Sequence, residues 1–197
     1  MDVPNTSIWI GLWPGGDVMT TALQAADFFI SAAKAENCSG QMTNMKINKL
    51  VYFAQAASLQ KRGKPLFADK IEAWDHGPVV YNVYEQFKPY GRKGISEQSS
   101  PDAAESISGE DIDLLADVYV ELGGKTASQL RKRSHREDGP WCQTMEKHVR
   151  GAEIDVNLIK DWVMKHPVLP DADSDDGVLM ATLNEDGEVV VPAGWQF

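Results

Sequence analysis

Apolar residues recur at helical spacing over most of the chain. Ala22, Ala25, Ala26, Phe29, Ile30 and Ala33 fall three or four residues apart, the period of one buried helix face. Thr21 and Gln24 stand at capping-box spacing ahead of them, so a helix is expected from there to about Glu36. A second helix is expected from about Thr43 to Arg62. Ile47, Leu50, Val51, Ala54 and Ala57 line one face, and Tyr52, Phe53, Ala56 and Leu59 thicken it. A helix apolar over so much of its circumference sits centrally and is contacted from several sides. Gly63 ends it.

Lys64–Phe67 and Ile71–Trp74 are short apolar stretches around Ala68-Asp69-Lys70; they read as a small hairpin or as two extended segments. Because proline is favoured at the first helical position, Gly77-Pro78 reads as the start of a helix from Pro78 to about Tyr90. Val79, Val83 and Phe87 share its inner face. Residues 91–109 are polar, with room for one short strand at Ile95. Ser108 caps a helix to about Leu122 whose Ile112, Leu115, Tyr119 and Leu122 face inward. Thr126 with Gln129 opens a short basic helix, Ala127 to Arg133. Pro140 restarts a helix to about Lys147, and Asp155 caps a last one, Val156 to His166, that buries Ile159, Trp162 and Val163. The fold class is therefore mainly α, a compact helical domain with a small β-hairpin or short strands.

Beyond Pro167 the pattern changes. Residues 167–177 read as an acidic linker, and 178–197 as a C-terminal extension with hairpin character around Asn184–Gly187. Residues 1–18 read as a flexible arm, either an upstream extension ahead of Met19 or an arm whose Trp9 and Trp13 dock on the body. Net charge is −10 over 197 residues, but residues 167–197 hold seven acids and no Lys or Arg, which leaves residues 1–166 at −3. A broad nucleic-acid surface is disfavoured by that balance, because its affinity rests on clustered cations. The one cationic concentration, Lys125 to Arg136, reads as a solvated helix face, a contact for an acidic partner or a phosphate backbone, or a dock for the acidic tail. No apolar run approaches the ~20 residues needed to cross a bilayer. Two cysteines, Cys38 and Cys142, form no disulfide framework; a reducing cytoplasm is the simplest setting.

Candidate chemistry is thin. His76 stands beside Asp75, and His135 lies within Arg131–Arg136. A hydrolase-like enzyme would have to join one of them to a carboxylate, or to Cys142 as nucleophile. No Cys or His pair has zinc-ligand spacing. Asp171, Asp173 and Asp175 begin like a calcium loop, but position 182 is Thr where that loop needs Glu. No cofactor is implied.

Lys46-Ile-Asn-Lys-Leu-Val-Tyr-Phe-Ala-Gln55, Gly63–Phe67, Ile71–Val80, Val83-Tyr84, Phe87 and Tyr90-Gly91, followed by Ser134–Glu137 with Pro140-Trp141, closely resemble the SocA-like, phage-associated Panacea-domain antitoxin family. The resemblance covers roughly Thr21 to Lys165, within a domain drawn at 19–166. Ser134 stands where that family more often has Thr. Members end near the last helix, so Pro167–Phe197 has no role by resemblance. It implies a helical antitoxin of a bacterial or phage toxin–antitoxin system that neutralises a cognate toxin protein by direct binding. It implies no catalytic activity, and for one kind of member it implies delivery of the toxin to a bacterial protease such as ClpXP. Trp74, Gly77, Pro78, Val79, Pro140 and Trp141 are expected to hold the fold. Lys49, Tyr52, Gln55, Tyr81, Tyr84 and His135 are candidates for partner contact, since Tyr is favoured in interfaces. The readings from other classes are a DNA-binding repressor using residues 125–136 and the enzyme using His76 or His135.

Overall fold

The computed structural model describes residues 19–95, 97–99, 107–147 and 150–170, with the backbone of 182–183 and 189–190. The reading of residues 1–18 as an arm and of Asp171–Asp176 as linker or calcium loop lies outside the described residues.

Capping chemistry sets the helix starts. Helix α1 (Ala22–Ala35) begins at a complete Thr21/Gln24 capping box, and α2 (Asn44–Arg62) begins at Thr43, whose hydroxyl accepts from the Lys46 amide. Gly63 closes α2 at φ 67°, a left-handed conformation that suits glycine. Strands β1 (Ile71–Trp74) and β2 (Gly77–Val80) pair antiparallel, Ile71 opposite Val80 and Trp74 opposite Gly77. Helix α3 (Tyr81–Phe87) follows directly and runs into a 3-10 turn over Lys88–Tyr90. Then come α4 (Gly109–Leu122), α5 (Ala127–Ser134), α6 (Pro140–Lys147) and α7 (Val156–Val163). In the C-terminal extension β3 (Thr182–Leu183) pairs antiparallel with β4 (Val189–Val190), the hairpin read from the turn residues between them. The fold is mainly α with small hairpins.

Helix α2 is the axis. It packs against α1, α3, α4, α5, α7 and β2, and every side chain from Lys46 to Leu59 is buried. Its apolar residues meet Phe29 and Ile30 of α1, Val83 and Phe87 of α3, Leu115 and Val118 of α4, and Ile159 and Val163 of α7 in one core. Around so central a helix, irregular chain must pass with its backbone out of water, and buried backbone groups demand partners. The polar side chains of α2 supply them. Lys46 Nζ donates to the Gly123 carbonyl at the C-terminus of α4 (2.6 Å). Gln55 Oε1 accepts from the Leu66 and Phe67 amides (2.7 and 3.2 Å), and its Nε2 donates to the Phe67 carbonyl (3.0 Å). The Ser58 hydroxyl donates to the Lys64 carbonyl at 2.7 Å. Gln60 holds Val168 and Leu169 as Gln55 holds 66–67, accepting from both amides and donating to the Leu169 carbonyl.

Three expectations are corrected. The helix expected from Pro78 starts at Tyr81, and Gly77–Val80 is instead the second strand of a hairpin whose first strand is Ile71–Trp74; Lys64–Phe67 is not a strand. Gly77 has φ 102°, outside the extended region a helix cap adopts, and the β-branched Val79-Val80 pair favours the sheet. Pro78 is tolerated because Ala73, opposite it, turns its amide and carbonyl to Ala152 and Gly151 on the far edge. That pair exchanges no ladder hydrogen bonds, so the missing N–H costs nothing. Second, Ile112 is exposed, and α4 buries Leu114, Leu115, Val118 and Leu122. Third, Ile95 forms no strand; it is buried, its amide donating to the Met42 carbonyl at 2.8 Å. The chain read as linker from Pro167 is docked as far as Pro170, with Val168 and Leu169 buried.

Replacing Gln55 with Leu keeps the volume but orphans two buried amides and a carbonyl. An unfolding free energy lower by about 3 kcal/mol or more is expected, measured from the urea midpoint; a change below about 1 kcal/mol would contradict the clamp.

Candidate functional site

The hairpin is held from both edges. On the β1 side, Gly151–Ile154 runs alongside: the Ala73 amide donates to the Ala152 carbonyl and the Ile154 amide to the Ile71 carbonyl. On the β2 side there is no strand, only α2. Asn48 Oδ1 accepts from the Val80 amide at 3.0 Å, and Lys49 Nζ donates to the Pro78 carbonyl at 2.7 Å. Two side chains one residue apart thus finish the open edge of a sheet. Lys49 is 1% exposed, and burial, with Arg131 adding repulsion, lowers its pKa to about 7.

The turn end of the hairpin is clamped by α5 and α6. Trp141 Nε1 donates to the Trp74 carbonyl at 2.8 Å, and the His135 ring lies on Trp141 with centroids 3.7 Å apart. His135 also fills the space over Gly77: a Cβ there would meet His135 Cε1 at 2.7 Å and Lys49 Nζ at 3.0 Å. Its Nδ1 lies 2.7 Å from the Arg131 carbonyl, which fixes Nδ1 as the protonated nitrogen of the neutral ring. Nε2 is buried near the Asp75 backbone without a hydrogen bond of good geometry. Burial, chiefly, pushes the imidazole pKa below its ordinary value, with Arg131 and Lys49 acting in the same direction.

Outward from this clamp opens a groove of about 300 Å³ between α2, the hairpin turn and α3, lined by Met45, Lys49, Trp74, His76, Val79 and Tyr84 among others. Trp74 packs against Tyr84 (centroids 4.8 Å) and Tyr81 (6.4 Å). Tyr81 is 47% exposed and Met45 40%. Cations ride on the rings: Arg150 stands 5.3 Å from the Trp74 centroid and Lys88 5.8 Å from that of Tyr84. An apolar, aromatic hollow rimmed by guanidinium and ammonium groups offers a ligand burial and directional charge.

The six candidate contact residues therefore separate. Half-buried Tyr84 lines the groove, as does the Lys49 side chain, and exposed Tyr81 packs on Trp74 beside it. Lys49, Tyr52 and Gln55 are buried, Lys49 and Gln55 already bonded to backbone, and half-buried His135 sits behind the hairpin. Gly77, Pro78, Val79 and Pro140 are buried and Trp74 and Trp141 half-buried, all in or against the hairpin. Sequence reading missed Met45, Lys88 and Arg150 on the groove; Arg150 carries no signal, since it is 76 positions from Trp74 and joins it only through the fold.

His76 is exposed at the turn; Asp75 beside it pairs with Arg150 at 3.6 Å, and no carboxylate bonds either ring nitrogen of His135. Cys142 is held above the ordinary thiol pKa by burial and by Glu146, the reverse of an activated nucleophile. Among the described residues, no cluster of His, Cys, Asp and Glu could hold a metal ion and no helix is long and apolar enough to cross a membrane. Within the basic segment, Lys125 and Arg133 share Glu121, and Arg136 reaches Asp138.

Residues 47–142, from the buried stretch of α2 through the hairpin and groove to Trp141, match the family model described as antitoxin SocA-like, Panacea domain. Over that segment the chain is similar to the SocA-like Panacea family. Antitoxin SocA of Caulobacter vibrioides (strain NA1000 / CB15N) is 33% identical over 111 residues, covering 51% of this chain and 58% of that protein. The chain thus spans under two thirds of that relative's length. No solved structure matches significantly. Both ends of the clamp, Lys49 and Trp141, lie within the matched Panacea segment.

Gly77→Ala must displace His135 or Lys49 and strains a positive φ, so a loss of about 2–4 kcal/mol is expected; Gly124→Ala, with open space around it, is expected to be neutral. Equal melting temperatures for the two would refute the clamp. Lys49 adds a pH signature. The unfolded chain keeps its proton to about 10.5 and the folded chain releases it near 7. Between those values the unfolded state binds more protons, so stability rises with pH, by up to about 1.4 kcal/mol per unit from this group. Denaturant midpoints from pH 7 to 9 should climb more steeply in the wild type than in Lys49→Met; parallel profiles would contradict a charge burial at this site.

Proposed function

We propose that the protein is an antitoxin that neutralises a cognate toxin by direct protein–protein binding, without catalysis, and that the groove beside the hairpin is the gripping surface. The observation that supports this most is the aromatic face of Trp74, Tyr81 and Tyr84, carried on the segment similar to the Panacea family and left open by a clamp that spends its other polar groups internally. Interface hot spots favour Trp, Tyr and Arg around a pocket, and Arg150 with Lys88 adds a cationic rim that suits an acidic rim on the toxin. Lys49 and His135 act by fixing the hairpin that presents those rings, and Tyr52 and Gln55 act within the core, Gln55 by holding residues 66–67. Handing the bound toxin to a protease such as ClpXP is a second step that the same grip would serve. Cytoplasmic action fits this reading.

Co-expression with the product of the adjacent gene tests it. Tyr81→Ala and Tyr84→Ala are each expected to weaken toxin binding at least tenfold and to abolish growth rescue in the double variant, with little change in melting temperature. Retained rescue and affinity in a folded double variant would move the grip elsewhere.

A further inference from the structure

On another face of α2, between α5–α6 and α7, lies a second cleft of about 350 Å³, lined by Phe53, Arg133, Arg136, Trp162, Lys165 and His166 with Pro167 and Val168. Four of these side chains are cations or can become so. Two are held by rings: the Arg136 guanidinium stands 5.6 Å from the Trp162 centroid and that of Arg133 5.6 Å from Phe53. The Arg133 guanidinium is already engaged, donating to the Val168 carbonyl at 2.8 Å and to Glu121 at 3.4 Å, whereas the stacked Arg136 guanidinium is held by the ring and loses little further freedom on binding. The His166 ring packs on Trp162 at 4.7 Å. Lys165 has no ion-pair partner among the described residues, and Asp138 (to His166 at 3.2 Å and Arg136 at 3.9 Å) and Glu121 (to Arg133 at 3.4 Å) approach from outside the lining. No carboxylate lines the cleft itself. Trp162 also carries a buried indole N–H with no acceptor, a donor that buried groups in folded proteins rarely leave unused.

We propose that this cleft is an oxyanion-binding site, taking carboxylate or phosphate oxygens between Arg136, Lys165 and His166, with the charge of Arg133 at its edge. The geometry suits a compact anion: charge-assisted donors converge on a small hollow with an aromatic floor. The same chemistry has two sources. One is a free phosphate-bearing ligand. The other is the chain's own run Asp171–Asp176, which begins three residues past Val168, a reach of roughly 10 Å. Tethering would present those carboxylates at an effective concentration of order millimolar. The cleft lies apart from the aromatic groove, so the inference stands whether or not that groove grips a toxin.

Calorimetric titration of the full chain with inorganic pyrophosphate at low ionic strength tests it. Saturable binding to the wild type is expected, weakened at least tenfold in Arg136→Ala and in Lys165→Ala. Lys165 is exposed, so its variant keeps the fold. A full-length variant with Asp171, Asp173, Asp175 and Asp176 changed to Asn separates the sources. Tenfold tighter binding identifies the acidic run as the resident occupant, and unchanged binding a free ligand. The proposal is overturned if neither form binds pyrophosphate, if the two alanine variants bind as the wild type does, or if duplex DNA competes through these same side chains.

Discussion

Buried backbone without a partner is the constraint this molecule is built around. Helix α2 is enclosed on nearly all sides, and the chain that encloses it is only partly helical: residues 64–67, strand β2 and residues 167–170 pass against it in extended or irregular form. None of these segments satisfies all its backbone groups by itself, and Leu66, Phe67, Gly77–Val80, Val168 and Leu169 are buried. Asn48, Lys49, Gln55, Ser58 and Gln60 do what a neighbouring strand would do elsewhere. Such side-chain-to-backbone bonds strengthen in a low-dielectric interior and are expensive to break one at a time. They explain why a helix with so much apolar surface keeps amide and ammonium groups in its core.

From that constraint the groove follows. The Asn48 and Lys49 contacts fix the height of β2 above α2, Gly77 brings its turn close enough for His135 to lie over it, and Trp141 ties the Trp74 carbonyl from the other side. With the strand backbone pinned on both edges and its indole N–H donating to Glu72, the Trp74 ring packs against Tyr81 and Tyr84. A rigid aromatic platform of this kind suits recognition, because side chains already ordered lose little entropy when a partner covers them. Lys49 meanwhile sits near its neutral point, which lowers the penalty of burying it.

How much of this was legible depends on how local the deciding interaction is. Helices α1, α2, α4 and α5 were readable because periodicity and capping pairs such as Thr21/Gln24 and Thr126/Gln129 act within one turn. Gly77-Pro78 was misread because the dipeptide suits a helix start and a strand equally. What decides between them comes from Asn48 and Lys49, some 30 positions earlier. Ile112 looked inward because α4 has apolar residues on more than one face, and contact with α2 selects Leu115 and Val118. Lys49 and Gln55 were placed among partner contacts because a polar residue on an apolar helix looks the same in sequence whether it reaches a ligand or a carbonyl. The groove rim was hidden for the same reason at longer range: Arg150 and Trp74 meet only after the whole domain closes.

Native-state hydrogen exchange at single-residue resolution measures the central claim directly. The amides of Val80, Leu66, Phe67, Val168 and Leu169, outside any helix and bonded to α2 side chains, should exchange only through the global opening that releases the α2 backbone itself, with matching free energies. Protection of those amides several kcal/mol below that of α2 would mean that the segments open on their own, and the picture of a polar spine holding them would be wrong.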